Sequence, residues 1–81
     1  MEMMEILGLY VGDKVTNKNL LQQVLTQYGN VIRTRLGLSA TSGAHGIILL
    51  ELLGDGKEIK NLKAALEKID GLQLQKMSFE V

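Results

Sequence analysis

The chain has 81 residues, in which nine basic and nine acidic side chains cancel, and it lacks both cysteine and proline. The lack of cysteine excludes disulfides and thiolate metal centres, and the balanced charge gives no general attraction to nucleic acid or to anionic membranes. The core of so small a domain rarely supplies more than about 3 to 5 kcal/mol of stability, so we expect support from association with another chain.

The apolar stretches are too short or too interrupted for a membrane span or a secretory signal. The longest uncharged apolar run, Ile47 to Leu50, is far shorter than the roughly 20 residues that cross a bilayer. Glu2 and Glu5 interrupt the first apolar block, which therefore lacks the unbroken run of a signal peptide. We expect a cytoplasmic location and no membrane partner.

The first half of the chain predicts a strand, a helix and a second strand. Residues 3–11 are β-like and end at the turn signal Gly12-Asp13. Apolar residues then recur every three to four positions and predict one helical stripe, formed by Leu20, Leu21, Val24, Leu25 and Tyr28. Thr16 or Asn17 is expected to cap this helix, and Gly29 to end it in the left-handed conformation. The alternation in residues 31–38 predicts the second strand.

The most apolar stretch of the chain, "HGIILLELLG" at residues 45–54, predicts a third strand. The small, polar residues 39–44 before it predict the loop of a hairpin with the second strand. Isoleucine and leucine side chains lie on both faces of this strand, and only Glu51 interrupts them. Each face is therefore expected to pack against another part of the structure or another chain.

A second helix and a fourth strand complete the pattern. Asp55 and Glu58 have the spacing of a capping box, and Gly71 is expected to end the helix. The buried stripe of this helix is predicted to consist of Ile59, Leu62, Leu66 and Ile69, with Ala65 alongside. In residues 72–81 the apolar positions change parity, which predicts a bulge or a change of strand partner near Gln75-Lys76.

This order of elements predicts a single α+β domain over residues 1–81 with the ferredoxin-like βαββαβ arrangement. Right-handed crossovers would place the four antiparallel strands in the order 4, 1, 3, 2, with both helices on one face of the sheet. The first and third strands would be central, and the other sheet face would be left without a cover.

The uncovered face is expected to be apolar and to bring copies of the chain together. We predict that Leu36 lies opposite Ile48, with both under the helices alongside Ile32, Leu50 and Leu52. The uncovered face would then hold Ile47, Leu49, Glu51 and Leu53 together with Arg33 and Arg35, and Arg33 would lie opposite Glu51. The first strand would add Leu7, Leu9 and Val11, or else Met4, Ile6 and Tyr10. Identical chains are expected to pair through this sheet face or edge to edge, as a homodimer or a dimer of dimers.

Few residues suggest chemistry. His45 is the sole histidine, and without a thiol it cannot form a metal site unless several chains each contribute one, so no metal is expected. Arg33 and Arg35 have the guanidinium geometry for a carboxylate or phosphate, but an ion pair with Glu51 or simple solvation is the more ordinary interpretation. The residues around Asp13 and Asp55 lie where helices are predicted to begin, a position that attracts anions. Neither segment has the residue spacing of a phosphate-binding loop.

Catalysis and direct binding of nucleic acid are not expected. No serine lies beside a plausible base, and no carboxylate pair projects from clearly converging positions. Both helices are needed to cover the sheet, which leaves none for a helix-turn-helix, and aromatic residues are too few to stack bases. The lysines of the second helix, at positions 57, 60, 63 and 68, are typical of a solvated face.

Three segments carry a family resemblance: "YGNVIRTRLGL", "HGIILLELLGDGKEI" and "LKAALEKIDGLQLQK". They resemble the iron-only hydrogenase system regulators, small ACT-like domains of ferredoxin-like fold, over residues 6–76. Members of that family often carry a proline just after the segment that matches Arg35-Leu36-Gly37, where this chain has Leu38-Ser39. The resemblance implies a role in hydrogenase maturation or expression. No cofactor is expected, because His45 is the only histidine available.

These expectations converge on a non-catalytic regulatory domain that oligomerises through its sheet. The resemblance to ACT-like domains implies a small effector between protomers. The candidate residues for an effector site or for the interface are Arg33, Arg35, His45, Ile47, Leu49 and Glu51. A protein partner is the other expected ligand. A purely structural oligomerisation module is the alternative, and a small enzyme on this scaffold is the least favoured interpretation.

Overall fold

A computed structural model describes residues 3–39 and 46–81 and confirms the predicted α+β, ferredoxin-like fold. The elements are β1 (Met3–Val11), α1 (Lys18–Gln27), a 3-10 turn (Gly29–Val31), β2 (Ile32–Ser39), β3 (Gly46–Leu52), α2 (Gly56–Glu67) and β4 (Gln73–Glu80). The antiparallel sheet has the order β2-β3-β1-β4, which is the predicted order. The two central strands are therefore β1 and β3.

The core lies between one face of the sheet and the two helices. Leucines supply most of it because alternate positions of the central strands face the apolar stripes of the helices. The side chains that lose all solvent contact are Leu9, Leu50, Leu62 and Leu66. Leu7 and Leu52 are almost as buried, so residues 7 and 9 of β1 lie on the helix side.

Both helices start at predicted capping residues, whereas neither ends at the glycine predicted to stop it. Asn17 caps α1, accepting a hydrogen bond from the Leu20 amide at 2.9 Å, and Asp55 caps α2 through the Lys57 amide, also at 2.9 Å. Gly71 has a positive φ, 83°, but it does not end α2 as predicted: the helix ends at Glu67 with Lys68 as its C-cap, and Gly71 lies in the turn that follows. The expectation for Gly29 was wrong, because its φ is not positive and the chain continues there into the 3-10 turn.

The predicted register between β2 and β3 was also wrong. Leu36 pairs with Leu49 rather than with Ile48, because the pairing shifts by one residue between Ile32 and Thr34. This irregularity in β2 has the effect of a bulge, in which one extra residue reverses the side of the sheet for everything that follows. Leu36 consequently lies on the uncovered face instead of under the helices.

β4 has neither the bulge nor the change of strand partner that were predicted as alternatives. β4 pairs with β1 in one continuous register, from Met3 with Glu80 to Tyr10 with Gln73. The change of apolar parity has a different cause: Leu74 packs against the core, whereas Met77 and Phe79 lie on the opposite side of the sheet. The strand thus contributes apolar side chains to both faces.

Across the two described ranges, neither helix combines the length and the apolar character that a bilayer span requires.

Candidate functional site

The sheet has one face without helices, which we call the open face. Its members follow from the strand pairing and from the burial of the alternate residues on the helix side. They are Met4, Ile6, Gly8 and Tyr10 of β1, Thr34, Leu36 and Leu38 of β2, Ile47, Leu49 and Glu51 of β3, and Gln73, Gln75, Met77 and Phe79 of β4. Of the two alternatives for β1, the set with Met4, Ile6 and Tyr10 is the one on this face.

Large apolar side chains on the open face are substantially exposed. Seven of them show between 37% and 51% of their surface to solvent: Met4, Tyr10, Leu36, Leu38, Ile47, Met77 and Phe79. Single exposed leucines are common on soluble proteins, but a contiguous apolar area of this kind marks an interaction surface. The open face is therefore the strongest candidate for a functional site.

Polar groups on the open face are few. Glu51 is the one charged residue among its described members, and its Oε1 accepts a hydrogen bond of 2.8 Å from the Thr34 hydroxyl. Thr34 lies directly opposite on β2, at the place predicted for Arg33. The carboxylate is thus held by a neutral donor, not by an arginine.

A shallow hollow of about 340 Å³ lies near the centre of the open face. Its floor is Gly8, and its walls include Tyr10, Leu49, Gln75 and Met77. The hollow exists because Gly8 has no side chain in the middle of a central strand. Sequence reasoning missed Gly8, although an isolated glycine within an apolar strand signals a close approach by another group.

The residues predicted for an effector or interface site separate in the structure. Ile47, Leu49 and Glu51 lie together on the open face, as predicted. Arg35 does not join them, because the shift in β2 turns it to the helix side, where its Nη2 donates to Gln22 Oε1 at 2.6 Å. Arg33 occupies the irregular step itself and is exposed. His45 lies outside the described residues.

A second concave region lies on the helix side, beside α2. This groove of about 720 Å³ is lined by Met3, Glu5, Leu53, Ile59 and Lys63, among others. Lys63 Nζ forms a half-buried ion pair with Glu5 Oε2 at 2.6 Å, so this lysine is not part of a fully solvated face as predicted. Leu53, expected on the uncovered face, lines this groove instead.

The described residues offer little for metal binding or acid-base chemistry. No group of three or more histidine, aspartate or glutamate side chains converges within residues 3–39 and 46–81. The two helix starts are occupied by their own capping side chains, Asn17 and Asp55. Most of the side chains that form the open face and its hollow are apolar.

Comparison with known proteins identifies structural relatives only. No protein-family model and no curated protein matches the chain. Uncharacterized protein TM1266 from Thermotoga maritima is similar in structure over 98% of this chain and 100% of its own, with a TM-score of 0.82 and 24% identity. Rv0793 from Mycobacterium tuberculosis is similar over 99% of this chain and 95% of its own, with a TM-score of 0.56 and 8% identity.

A formyltetrahydrofolate deformylase from Pseudomonas putida matches 91% of this chain but 28% of its own length, at a TM-score of 0.57 and 10% identity. These likenesses establish the fold alone. At such identities an activity does not follow from a shared fold, because one scaffold supports many unrelated functions.

Proposed function

We propose that this chain is a non-catalytic regulatory domain that works as an assembly, in which two copies associate through their open faces. The observation that supports the proposal is the exposure of the seven large apolar side chains on that face. Burial of apolar surface is favourable by about 25 cal/mol per Å², so an association that covers these side chains gains substantially.

The dimensions of the open face suit a dimer interface. Four strands about 4.8 Å apart, each contributing about 25 Å of length, give a projected area of roughly 500 Å². Side chains standing on that area raise its accessible surface toward the roughly 800 Å² that each partner contributes to a stable interface. A small domain with no disulfide gains from such contact the support that its own core supplies poorly.

The regulatory part of the proposal rests on the family resemblance. It suggests that the dimer acts in the cytoplasm in the control of an iron-only hydrogenase system, at the level of transcription or of maturation. Since both helices cover the sheet, a link to DNA would run through a protein partner. A small effector bound at the junction between copies would couple its own concentration to the assembly.

The assembly is tested by sedimentation with a charge placed on the open face. Leu36→Glu puts a carboxylate into the proposed interface and is expected to convert the dimer to a monomer at micromolar concentration. Leu20→Glu is the matched control, because Leu20 is also partly exposed but lies on α1. A wild-type chain that sediments as a monomer at these concentrations would contradict the proposal.

A structural oligomerisation module without a ligand is the second candidate. It is favoured by the shallowness of the Gly8 hollow and by the lack, among the described residues, of any group of three or more histidine, aspartate or glutamate side chains. Thermal unfolding in the presence of amino acids, nucleotides or divalent cations separates the two candidates, because a ligand specific to the folded state raises its stability. No shift with any of the three classes favours the structural module.

A further inference from the structure

We infer that the twofold axis of the dimer runs parallel to the strands, between β1 and β3, so that Leu49 of each copy fills the Gly8 hollow of the other. This inference rests on the proposed function, because it specifies how the two open faces meet. The observation behind it is the hollow itself together with the position of Leu49 beside it.

The conformation of the single chain does not require glycine at position 8. Its φ is not positive, and a Cβ built there would make ordinary contacts, at 3.6 Å to Leu49 Cδ2 and 3.7 Å to the Gln75 carbonyl oxygen. Glycine weakens the interior of a strand relative to residues with side chains. A group that approaches the sheet from outside would account for the missing side chain.

The strand pairing places the hollow in a central position on the open face. Three complete rows of side chains cross the four strands, and the middle row contains Leu36, Leu49, Gly8 and Gln75 in that order. Gly8 and Leu49 are the two inner members of this row. A twofold axis through the centre of the face therefore passes between a glycine and a leucine.

Symmetry then allows two simple arrangements of the stacked sheets. An axis parallel to the strands places β1 over β3 of the second copy, so each Leu49 faces a Gly8 and each hollow is filled. An axis across the strands places each strand over its own counterpart, so Gly8 faces Gly8 and Leu49 faces Leu49. The second arrangement leaves a void beside a crowded contact, which close packing disfavours.

The first test fills the hollow. Gly8→Leu is expected to raise the dissociation constant of the dimer about tenfold, because the added side chain occupies the space that Leu49 of the second copy needs. Gly37→Leu is the matched control: position 37 lies in β2 opposite Ile48, on the helix side, and a Cβ added there would have no atom within 4 Å. A Gly8→Leu dimer that is unchanged or tighter overturns the inference.

The second test determines the direction of the axis by cross-linking. The chain has no cysteine, so each introduced thiol is unique. With the axis parallel to the strands, Leu38 faces Gln73 of the second copy across about 10 Å, whereas with the axis across the strands Leu38 faces Thr34. We expect a bismaleimide of about that span to join Leu38→Cys to Gln73→Cys when the two variants are mixed.

The outcomes separate this inference from the proposed function. Efficient cross-linking of Leu38→Cys with Gln73→Cys, and little with Thr34→Cys, supports the parallel axis. The reverse pattern, or a dimer in which neither pair reacts, overturns the parallel axis. In the reverse pattern the open-face dimer itself still stands. A wild-type chain that is monomeric by sedimentation overturns the proposed function and the inference with it.

Discussion

Gly71 is the residue at which the backbone leaves least freedom for substitution. Its φ is positive, and a Cβ at this position would collide with the backbone of Lys14 in the loop after β1. We expect Gly71→Ala to lower the free energy of unfolding by about 2 kcal/mol or more, because both the conformation and the close approach are lost. Denaturation by urea at a fixed protein concentration measures this change.

Gly29→Ala is the control for that measurement. Gly29 has no positive φ, and nothing lies within 4 Å of the Cβ that alanine would add. Its substitution should leave the stability nearly unchanged or raise it slightly, since alanine restricts the unfolded chain. Equal losses from the two substitutions would mean that the contact between Gly71 and Lys14 has no special role.

Glu51 opposes the association that its neighbours favour. Its carboxylate is the one charge among the described members of the open face and accepts a hydrogen bond from the neutral Thr34 hydroxyl. Burial of a charge against an uncharged surface is costly. Glu51→Gln keeps an acceptor for Thr34 and removes the charge, so the dissociation constant of the dimer is expected to fall at least about fivefold. Sedimentation equilibrium measures the dissociation constant, and Glu67→Gln on α2 is the control. A Glu51→Gln dimer weaker than the wild type would argue against burial of Glu51.

At the scale of single elements, the N-terminal caps of the helices were readable from the sequence. Asn17→Ala removes the acceptor of the Leu20 amide and should cost about 1 kcal/mol of stability. Asn19 lies two residues further on, within α1, and is exposed. Asn19→Ala should therefore leave the stability unchanged or raise it, because alanine is the better helix former. Thermal unfolding of the two variants at one concentration compares them, and similar melting temperatures would refute a capping role for Asn17.

The elements and their order were predictable because the period of apolar residues and the capping residues are local signals. Which β2 residues lie on which face of the sheet was not predictable. The alternation of Ile32, Thr34, Leu36 and Leu38 is unbroken in the sequence, so nothing in it indicates the shift after Ile32. One extra residue there moves Leu36 to the open face and Arg35 to the helix side. When residues are assigned to the faces of a strand by their alternation, the assignment is wrong for every residue that follows such a shift.

β4 shows the opposite error. Its change of parity was interpreted as a bulge or a change of strand partner, yet β4 pairs with β1 in one register from end to end. The sequence pattern indicates where apolar residues are needed, and here they are needed on both sides of the sheet: Leu74 toward the core, Met77 and Phe79 toward the open face. A strand that serves a core at one end and an interface at the other produces this pattern without any bulge.

At the scale of the whole molecule, Ile47, Leu49 and Glu51 were correctly assigned to one face because β3 is regular and its alternate residues are buried. The hollow at Gly8 could not be predicted in the same way, because it depends on three neighbouring strands at once. The apolar character of the uncovered face was predictable, whereas its shape required the structure.

The dimer should make the stability of the protein depend on its concentration. If unfolding separates the two copies, mass action raises the melting temperature with total chain concentration, and it does so only while the native state is a dimer. We expect the wild-type melting temperature to rise measurably across a hundredfold increase in concentration, followed by calorimetry. The Leu36→Glu variant, with a carboxylate on the open face, should melt at a temperature that no longer depends on concentration, whereas Leu20→Glu should retain the wild-type dependence. A wild-type melting temperature that stays constant over that range would show that the open face is not covered by a second copy in the native state.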